Sequence, residues 1–310
     1  TELFSYNAAT SKKKGLKTIV TIQDLIHLIY PKNYPPGIRG QINFLKQKAR
    51  LKNIDAVITI SETSKKDIVR FLGIPANKVH VVYLAPKKIF KRLEIGDSRL
   101  VEVKKKYKIP DRFVLYVGDI NYNKNITNLI KACNLAKIPL VICGKQALEI
   151  EERGVDLKSL RGPRDWVRFL FNIPHPELAH YEELLGEFKK SKNVIRVGFV
   201  PDEDLVKIFN LASVYVQPSF YEGFGLPVLE AMASGTPVVV ARTNALTEIS
   251  QDAALVVNPK DPKDMAEKIN IAIRNLEVRS RLTQKGLARI KDFSWEKTAR
   301  KMIKIYKELG

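Results

Sequence analysis

The sequence predicts an α/β protein with two Rossmann-like domains in succession. Short runs of Val, Ile and Leu alternate with segments that have the spacing of amphipathic helices. The runs are nearly continuous in apolar residues, which is typical of parallel strands covered by helices on both faces. A chain of 310 residues also exceeds the usual size of one hydrophobic core, so two domains are expected.

The first domain is predicted to contain three strands, "KTIVTIQD" (17–24), "DAVITIS" (55–61) and "KVHVVYLAP" (78–86). A basic segment, "IRGQINFLKQKARLK" (38–52), separates the first two. A helix is predicted to begin at Ser61, whose hydroxyl suits an N-cap, and to end at Gly73.

The second domain is predicted to contain six strands, over 112–118, 138–144, 193–200, 212–219, 236–241 and 253–259. Residues 145–192 are long for one crossover, so we expect an extra helix and an exposed loop there and assign them no role. His175 and His180 in this stretch have poor spacing for a metal site.

The domain boundary is expected where the lysines of "VKKKYKIPD" meet Pro110. The predicted division is therefore residues 1–108 for the first domain and 109–292 for the second. Residues 293–310 form a separate basic amphipathic helix in this interpretation.

Positive charge is concentrated in the first domain. Residues 1–108 carry 23 Lys and Arg against 8 Asp and Glu, so they hold +15 of the net charge of +20. This asymmetry favours an anionic partner, although solubility alone also explains it. Nucleic acid is not expected, because no helix-turn-helix, zinc or aromatic RNA-binding motif is present. An anionic membrane surface is a candidate partner, with residues 38–52 as the candidate patch.

The chain has two cysteines, Cys133 and Cys143, which lack the spacing of metal ligands. We therefore expect free thiols in a reducing, cytoplasmic protein. No run approaches the roughly 18 apolar residues of a transmembrane helix. The expected location is the cytoplasm, with peripheral attachment at the inner face of the plasma membrane as an option.

The most informative stretch is "PSFYEGFGLPVLEAMASGTPVVV", residues 218–240. It follows a predicted strand, so it lies at the edge of the sheet where ligands bind. Gly223 and Gly225 let the backbone turn sharply, and the helix that begins at Leu226 offers N–H groups to a phosphate. Glu222 and Glu230 flank this turn, and carboxylates accept hydrogen bonds from vicinal sugar hydroxyls.

A second anion site is predicted in "YVGDINYNKNITNLI", where Gly118 closes a strand and Lys124 begins a helix. An ammonium at a helix N-terminus beside a strand edge suits a diphosphate. No G-x-G-x-x-G follows any predicted strand, so a dinucleotide cofactor is not expected.

With these motifs the sequence resembles the retaining glycosyltransferases of family 4, also called group 1, which have the GT-B fold. The "E-x7-E" loop over 218–240 is the most specific part, and "GFVPDEDLVKIFNLASVYVQPS" and "VTIQDLIHLIYPKNYPPGIRG" fit the same family. The resemblance implies a donor site made of Gly118, Lys124, Val200, Glu222, Gly223, Phe224, Gly225, Leu226 and Glu230.

The resemblance also implies a role for each of these residues. Glu222 and Lys124 are the expected catalytic residues, with Glu222 at the donor-sugar hydroxyls and Lys124 on the diphosphate. Glu230 is expected on the ribose and Val200 against the nucleobase. The segment over 224–226 is expected to contribute backbone contacts, and the C-terminal helix to cross back onto the first domain.

Three departures from the family pattern stand out. Asp119 occupies a position where the family often has Arg, and an acid there cannot bind a diphosphate. On the acceptor side, Gln23 and Asp24 stand where many relatives read His-Asp, and His27 is a partial substitute or simply a packed histidine. The strand and glycine-rich loop that normally open the family are not visible, so the first domain is expected to be incomplete.

The resemblance implies transfer of a hexose, with retention of configuration, from a GDP- or UDP-linked donor to a glycan or lipid-linked acceptor in cell-surface polysaccharide synthesis. No cofactor or metal is expected, since Lys124 and helix N-termini would serve the diphosphate and no D-x-D motif is visible. Two alternatives stay open. One is a nucleotide-sugar 2-epimerase of the same fold, and the other is a non-catalytic fragment that binds nucleotide sugars.

Overall fold

A computed structural model describes residues 17–34, 37–51, 53–94, 96–152 and 179–310. These residues form nine strands: β1 Ile19–Thr21, β2 Ala56–Thr59, β3 Val79–Val81, β4 Val114–Val117, β5 Leu140–Cys143, β6 Val194–Gly198, β7 Val214–Gln217, β8 Val238–Ala241 and β9 Leu255–Val257. Each lies within one of the nine predicted strands.

Twelve α-helices accompany the strands in the described ranges. They are α1 Ile26–Ile29, α2 Gly37–Leu51, α3 Glu62–Asp67, α4 Ser98–Lys106, α5 Ile126–Ala136, α6 Ala179–Lys190, α7 Asp202–Leu211, α8 Leu226–Ala233, α9 Asn244–Ser250, α10 Pro262–Arg274, α11 Leu276–Arg289 and α12 Trp295–Leu309. None of the described helices has both the length and the apolar character needed to cross a membrane.

The chain folds as two compact units. Unit 1 contains the described residues up to Tyr83 and those from Trp295 onward. Unit 2 contains the described residues of 84–154 and 180–294. Helix α12 is therefore part of unit 1.

Unit 1 is built on a parallel sheet in the order β1-β2-β3. One face packs Val57 and Val79 against Phe44 of α2 and against a π-helical turn, Ile68–Leu72, that continues α3. The other face packs Ile58 against Ile305 of α12. Helices therefore cover both faces, as the continuous apolar strands predict. Ser61 caps α3 by accepting the N–H of Ser64 at 2.9 Å, also as expected.

Unit 2 is built on a six-stranded parallel sheet in the order β6-β5-β4-β7-β8-β9. The order reverses between β4 and β7, which pair at Val114 with Val214 and at Leu115 with Tyr215. In open α/β sheets, the carboxyl ends of the two strands at such a reversal border the ligand crevice. Both loops that the sequence singles out, after β4 and after β7, leave the sheet at this point.

The two units divide after Tyr83, whereas the sequence-based boundary lies at 108/109. The residues between these points pack on unit 2 through α4, which lies against α7. Lys106 and the Tyr107 hydroxyl both donate to Asp204 Oδ2 of α7, at 2.7 and 2.8 Å. These contacts link residues about a hundred positions apart, so local patterns around Pro110 do not reveal them.

Replacing Asp204 with Asn is expected to weaken the attachment of α4 to α7. The hydrogen bond from Lys106, together with those from Tyr107 and Lys207, holds the pKa of Asp204 at about 2, below its usual 3.8. A lowered carboxyl pKa stabilises the fold above the ordinary pKa, and this contribution is lost as pH falls toward 2. The melting temperature of the variant should therefore lie below wild type at pH 6, and the gap should close as pH approaches 2.

Glu203→Gln provides the matched control, since Glu203 is an exposed acid in the same helical turn. Its melting temperature should follow that of wild type at both pH values. If the melting temperature of Asp204→Asn lay as far below that of wild type at pH 2 as at pH 6, the proposed attachment would be contradicted.

The stretch 145–192 is described only in part. Two 3-10 turns, Lys145–Ala147 and Glu149–Glu152, follow β5, and α6 precedes β6. Helix α6 agrees with the extra helix predicted there. The predicted exposed loop and His175 lie outside the described residues.

Candidate active site

The loops after β4 and β7 are joined by hydrogen bonds from the buried Asn123 and Asn125 and from the half-buried Phe220. The Phe220 N–H donates to the Asn123 carbonyl at 2.8 Å, and Asn123 Nδ2 donates to the Tyr221 carbonyl at 3.2 Å. Asn125 adopts a left-handed conformation, with φ of +59°, and its Nδ2 donates to the Pro218 carbonyl at 2.9 Å. The two predicted anion-binding segments are therefore held side by side.

Lys124 and Glu222 meet between these loops. Lys124 Nζ lies 2.9 Å from both carboxylate oxygens of Glu222. Glu222 Oε1 also accepts from Gln217 Nε2 at 2.7 Å and from the Ser219 hydroxyl at 2.6 Å. Behind them the Tyr215 hydroxyl donates to Gln217 Oε1. The Glu222 side chain is thus fixed by a chain of donors.

The sequence predicts Lys124 and Glu222 as site residues but not as a pair. Their side chains are 22% and 8% exposed, so the carboxylate is nearly buried and the ammonium is the part that solvent reaches. An anionic ligand that arrives at Lys124 would compete with Glu222 for this ammonium. Gln217 and Ser219 were not predicted, although both stand as polar residues at the end of the apolar run "VYVQPS".

Gly118 and Asp119 follow β4 at the same edge. Gly118 has a φ of +140°, and a Cβ there would lie 3.1 Å from the Tyr116 hydroxyl. That hydroxyl donates to the Asp119 carbonyl at 2.6 Å. Burial, with the nearby charges of Glu222 and Asp119, raises the pKa of Tyr116 well above its usual value, so the phenol stays neutral. The Asp119 residue itself is exposed.

Helix α8 begins without a capping side chain. Gly225 occupies its N-cap with φ of +109°, and Pro227 lies in its first turn. The first N–H groups of a helix have no partner inside the helix, so this end is suited to an anion. Phe224 anchors the loop, since it is 3% exposed and packs edge-on against Phe293 at 6.2 Å. Its ring faces the core, in agreement with an expected contribution through the backbone.

Gly225→Ala is expected to disturb the start of α8. An added Cβ would lie 2.7 Å from Leu246 Cδ2 and 3.0 Å from Ile249 Cδ1, and an L side chain is strained at this φ. We expect a loss of about 1–3 kcal/mol in the free energy of unfolding and a larger proportional loss of nucleotide affinity. Chemical denaturation and titration with nucleotide would measure both.

The matched control is Gly186→Ala, because a Cβ at Gly186 in α6 has open space around it. Equal effects of the two substitutions would show that the conformation of Gly225 is not required.

Glu230 lies one turn into α8 and is 8% exposed. Burial, and after it the charge of Asp202, raises the pKa of its carboxyl from 4.5 to about 7, while the charge of Lys87 opposes this shift. Lys87 Nζ and Asp202 Oδ2 form an ion pair at 2.5 Å. Neither residue was predicted as part of the site. Val200, two residues before Asp202, is 7% exposed.

The predicted acceptor-side residues follow β1 in unit 1. Gln23 and His27 are exposed. Asp24 Oδ1 accepts the Ile26 N–H at 3.2 Å, which stabilises the start of α1. The His27 ring lies edge-on to Tyr34, with centroids 5.2 Å apart. An acceptor-binding role for these residues stays a prediction.

Within the described ranges, no group of three or more His, Cys, Asp or Glu residues is arranged to hold a metal ion. Cys133 and Cys143 are free thiols in the core, and burial raises the pKa of Cys143 to about 12. Neither thiol is therefore a reactive group near neutral pH.

A family model described as glycosyl transferases group 1 matches residues 101–289. The chain belongs to this family. A second model, described as glycosyltransferase family 4, matches residues 2–85.

Curated relatives of this group 1 glycosyltransferase include two mannosyltransferases of Escherichia coli. It is 28% identical to O-antigen chain mannosyltransferase B over 94% of this chain and 71% of the relative. It is 26% identical to the serotype-specific mannosyltransferase WbdA, again over 94% of this chain but only 34% of that relative. The chain thus spans about a third of the longer relative.

Solved structures agree on the fold. Sucrose-phosphate synthase from Thermosynechococcus elongatus superposes with a TM-score of 0.68 at 26% identity, over 94% of this chain and 67% of that one. Anabaena Alr3699/HepE, solved in complex with UDP-glucose, superposes with a TM-score of 0.67 at 16% identity, over 94% and 72%. The predicted GT-B class, with two parallel Rossmann-like sheets, and the predicted enzyme family are confirmed.

Proposed function

We propose that this group 1 glycosyltransferase moves a hexosyl residue from a nucleoside diphosphate sugar to a glycan or lipid-linked acceptor, with retention of configuration. The observation that carries the proposal is the Lys124–Glu222 pair, set beside the uncapped start of α8 where the strand order of unit 2 reverses. One cation and a helix N-terminus suit a diphosphate, and the adjacent carboxylate suits sugar hydroxyls.

Each residue has a role in this proposal. Lys124 and the N–H groups at Gly225 and Leu226 bind the diphosphate. Glu222 accepts hydrogen bonds from the donor-sugar hydroxyls, and Glu230 accepts them from the ribose. The nucleobase packs on Val200, while Gly118 and Gly223 keep the two loops close to the ligand.

The reaction breaks the bond between the anomeric carbon and the diphosphate oxygen. Negative charge develops on that oxygen as the bond lengthens, and Lys124 stabilises it together with the start of α8. The acceptor hydroxyl attacks the same face of the sugar, and its proton passes to the departing phosphate. We propose that no metal takes part, because Lys124 and the helix N–H groups already provide positive charge at the diphosphate.

Mannose is the first candidate for the transferred sugar. Two relatives that align with 94% of the chain are mannosyltransferases, and one is described as an O-antigen chain enzyme. We therefore propose a role in cell-surface polysaccharide synthesis. The nucleotide of the donor is GDP or UDP, and thermal unfolding with both nucleotide series distinguishes them.

Thermal unfolding with a panel of GDP- and UDP-sugars tests the proposal. A ligand that binds only the folded chain raises its melting temperature with concentration. We expect one of the two nucleotide series to raise it, and Glu222→Gln to reduce the effect of the nucleotide sugar more than that of the bare nucleotide. Transfer of a radiolabelled sugar from the donor to a saccharide acceptor would then identify a transferase, because neither an epimerase nor a non-catalytic binding fragment would label the acceptor. No stabilisation by any member of the panel would refute the proposed function.

For location, we propose a cytoplasmic protein that attaches to anionic membrane through α2. Ile42 and Leu45 of α2 are 47% and 63% exposed, whereas Phe44 of the same helix packs against the core. Lys46 and Arg50 are exposed beside them. An apolar stripe with a basic flank is typical of helices that lie in a membrane interface.

Flotation with vesicles tests this location. Vesicles of phosphatidylglycerol should retain the chain at low salt, and vesicles of phosphatidylcholine should not. Leu45→Glu should release it, whereas Val101→Glu, at an exposed site on α4, should not. Equal retention by both kinds of vesicle would refute the proposed attachment.

A further inference from the structure

Unit 2 contains a cavity of about 210 Å³ that the proposed donor site does not use. It lies between the loop after β4, the first turn of α5, helix α6 and Phe220 of the loop after β7. At roughly 30 Å³ of liquid volume per molecule, this space exceeds what one or two waters fill. Lys124, Glu222 and Glu230 are not among its lining residues.

The walls of this cavity are held by internal contacts. The Tyr122 ring lies 5.5 Å from that of Phe220, and the His180 ring lies 6.1 Å from Tyr122. The Tyr181 hydroxyl donates to Asn121 Oδ1 at 2.9 Å, which links α6 to the loop after β4. Asn128 Nδ2 donates to the Pro259 carbonyl at 3.2 Å. The cavity is therefore formed before any ligand arrives, which limits the ordering cost of binding.

The chemistry of the walls is mixed. Tyr122 and Phe220 present ring surface, while Asn121, Thr127 and Glu183 line the cavity with amide, hydroxyl and carboxylate groups. A pyranose has the complementary surface, since one face carries C–H groups that pack on a ring and its edge carries hydroxyls that donate and accept. The Glu183 carboxylate would repel an inorganic anion. A purely apolar ligand is also unsuitable, because it would cover the polar groups without replacing their hydrogen bonds to water.

The position of the cavity suggests which molecule supplies the pyranose. Tyr122 is two residues before Lys124, and Phe220 is two residues before Glu222, so the same two loops border both places. We infer that this cavity binds one pyranose unit of a saccharide, next to the place where the glycosidic bond forms. The inference rests on the proposed glycosyl transfer, and the pyranose belongs to the acceptor chain, since the donor sugar is proposed to lie at Glu222, which does not line the cavity.

Nuclear magnetic resonance on the intact chain with side-chain amide labels tests this inference without requiring transfer activity. The probes are a mannotriose, a nucleotide sugar and the matching nucleoside diphosphate. Shifts of the Asn121 and Asn128 amides with mannotriose alone would assign an acceptor unit. Shifts with the nucleotide sugar, but not with the diphosphate, would place the donor sugar in the cavity and would overturn the inference. If no probe shifts these amides, the inference is overturned, even if thermal unfolding still shows nucleotide binding.

Two substitutions on α6 provide a matched pair. Glu183→Gln removes an acceptor from the cavity, and its only ion pair among the described residues is the exposed one with Lys131 at 3.0 Å. The substitution should raise the dissociation constant of the bound probe about tenfold, which is the effect expected for the loss of a hydrogen bond to a charged group. Glu182→Gln, at the exposed neighbouring position, should leave the dissociation constant unchanged. If both substitutions changed the dissociation constant equally, the saccharide would bind elsewhere.

Discussion

Replacing Lys124 with Met is expected to lower kcat by about 10²–10³-fold, the usual effect of removing one preorganised group that stabilises developing negative charge. Lys124 is the cation that pairs with Glu222, and it lies at the strand reversal where the diphosphate is proposed to bind. Steady-state transfer with a saturating donor would measure the effect. The exposed pair of Lys285 with Asp252 supplies a control, since Lys285→Met should leave kcat unchanged.

The same substitution is expected to destabilise unit 2. It leaves the nearly buried Glu222 carboxylate with only neutral donors, Gln217 and Ser219. Removing one partner of a buried ion pair costs about 3–5 kcal/mol, whereas an exposed pair contributes about 1 kcal/mol or less. The double variant Lys124→Met/Glu222→Gln removes both charges and should recover most of the lost stability, but none of the activity. Recovered activity in the double variant would show that Lys124 only balances the charge of Glu222.

Glu230→Gln is expected to stabilise the fold at alkaline pH while weakening nucleotide binding. Because burial holds the Glu230 pKa near 7, ionising this carboxyl in the folded chain costs free energy that ionising it in the unfolded chain does not. A raised carboxyl pKa makes the wild-type fold lose stability as pH rises from about 4.5 to about 7. Gln carries no charge at any pH and avoids this cost.

The variant should therefore gain roughly 3 kcal/mol in the free energy of unfolding at pH 8 and almost nothing at pH 4. Urea denaturation of both proteins at the two pH values measures the difference. Nucleotide affinity should fall about tenfold at pH 8, because a neutral amide replaces a charged acceptor of the ribose hydroxyls. A variant that is less stable than wild type at pH 8 would show that the Glu230 carboxylate is a stabilising group and not a strained one.

Much of the fold follows from local patterns in the sequence. Each of the nine strands lies in a mostly apolar run, and such runs can be identified without knowing which strands become neighbours. The two ligand-facing loops can be identified for the same reason, since glycines and a following helix mark the end of a parallel strand. The residues of the candidate site, Lys124 and Glu222, are predictable as members of those loops.

The contacts that connect distant segments could not be predicted. Lys124 pairs with Glu222 across 98 positions, and the pairing depends on β4 and β7 being neighbours, which no local pattern encodes. Lys87 forms an ion pair with Asp202, and the charges of both act on Glu230. This arrangement arises because the segment that contains Lys87 belongs to unit 2. The sequence-based boundary placed Lys87 in the first domain, so its position near Glu230 was missed. Asp202 was missed because no local pattern marks its contact with Lys87.

A crystal structure of the chain with a bound nucleotide sugar would show the proposed donor site itself. We expect the diphosphate within hydrogen-bond distance of Lys124 Nζ and of the N–H groups that open α8. We also expect Glu222 to face the sugar and Glu230 to face the ribose. A nucleotide sugar bound away from residues 222–230, with the Lys124–Glu222 pair intact, would contradict the proposed site.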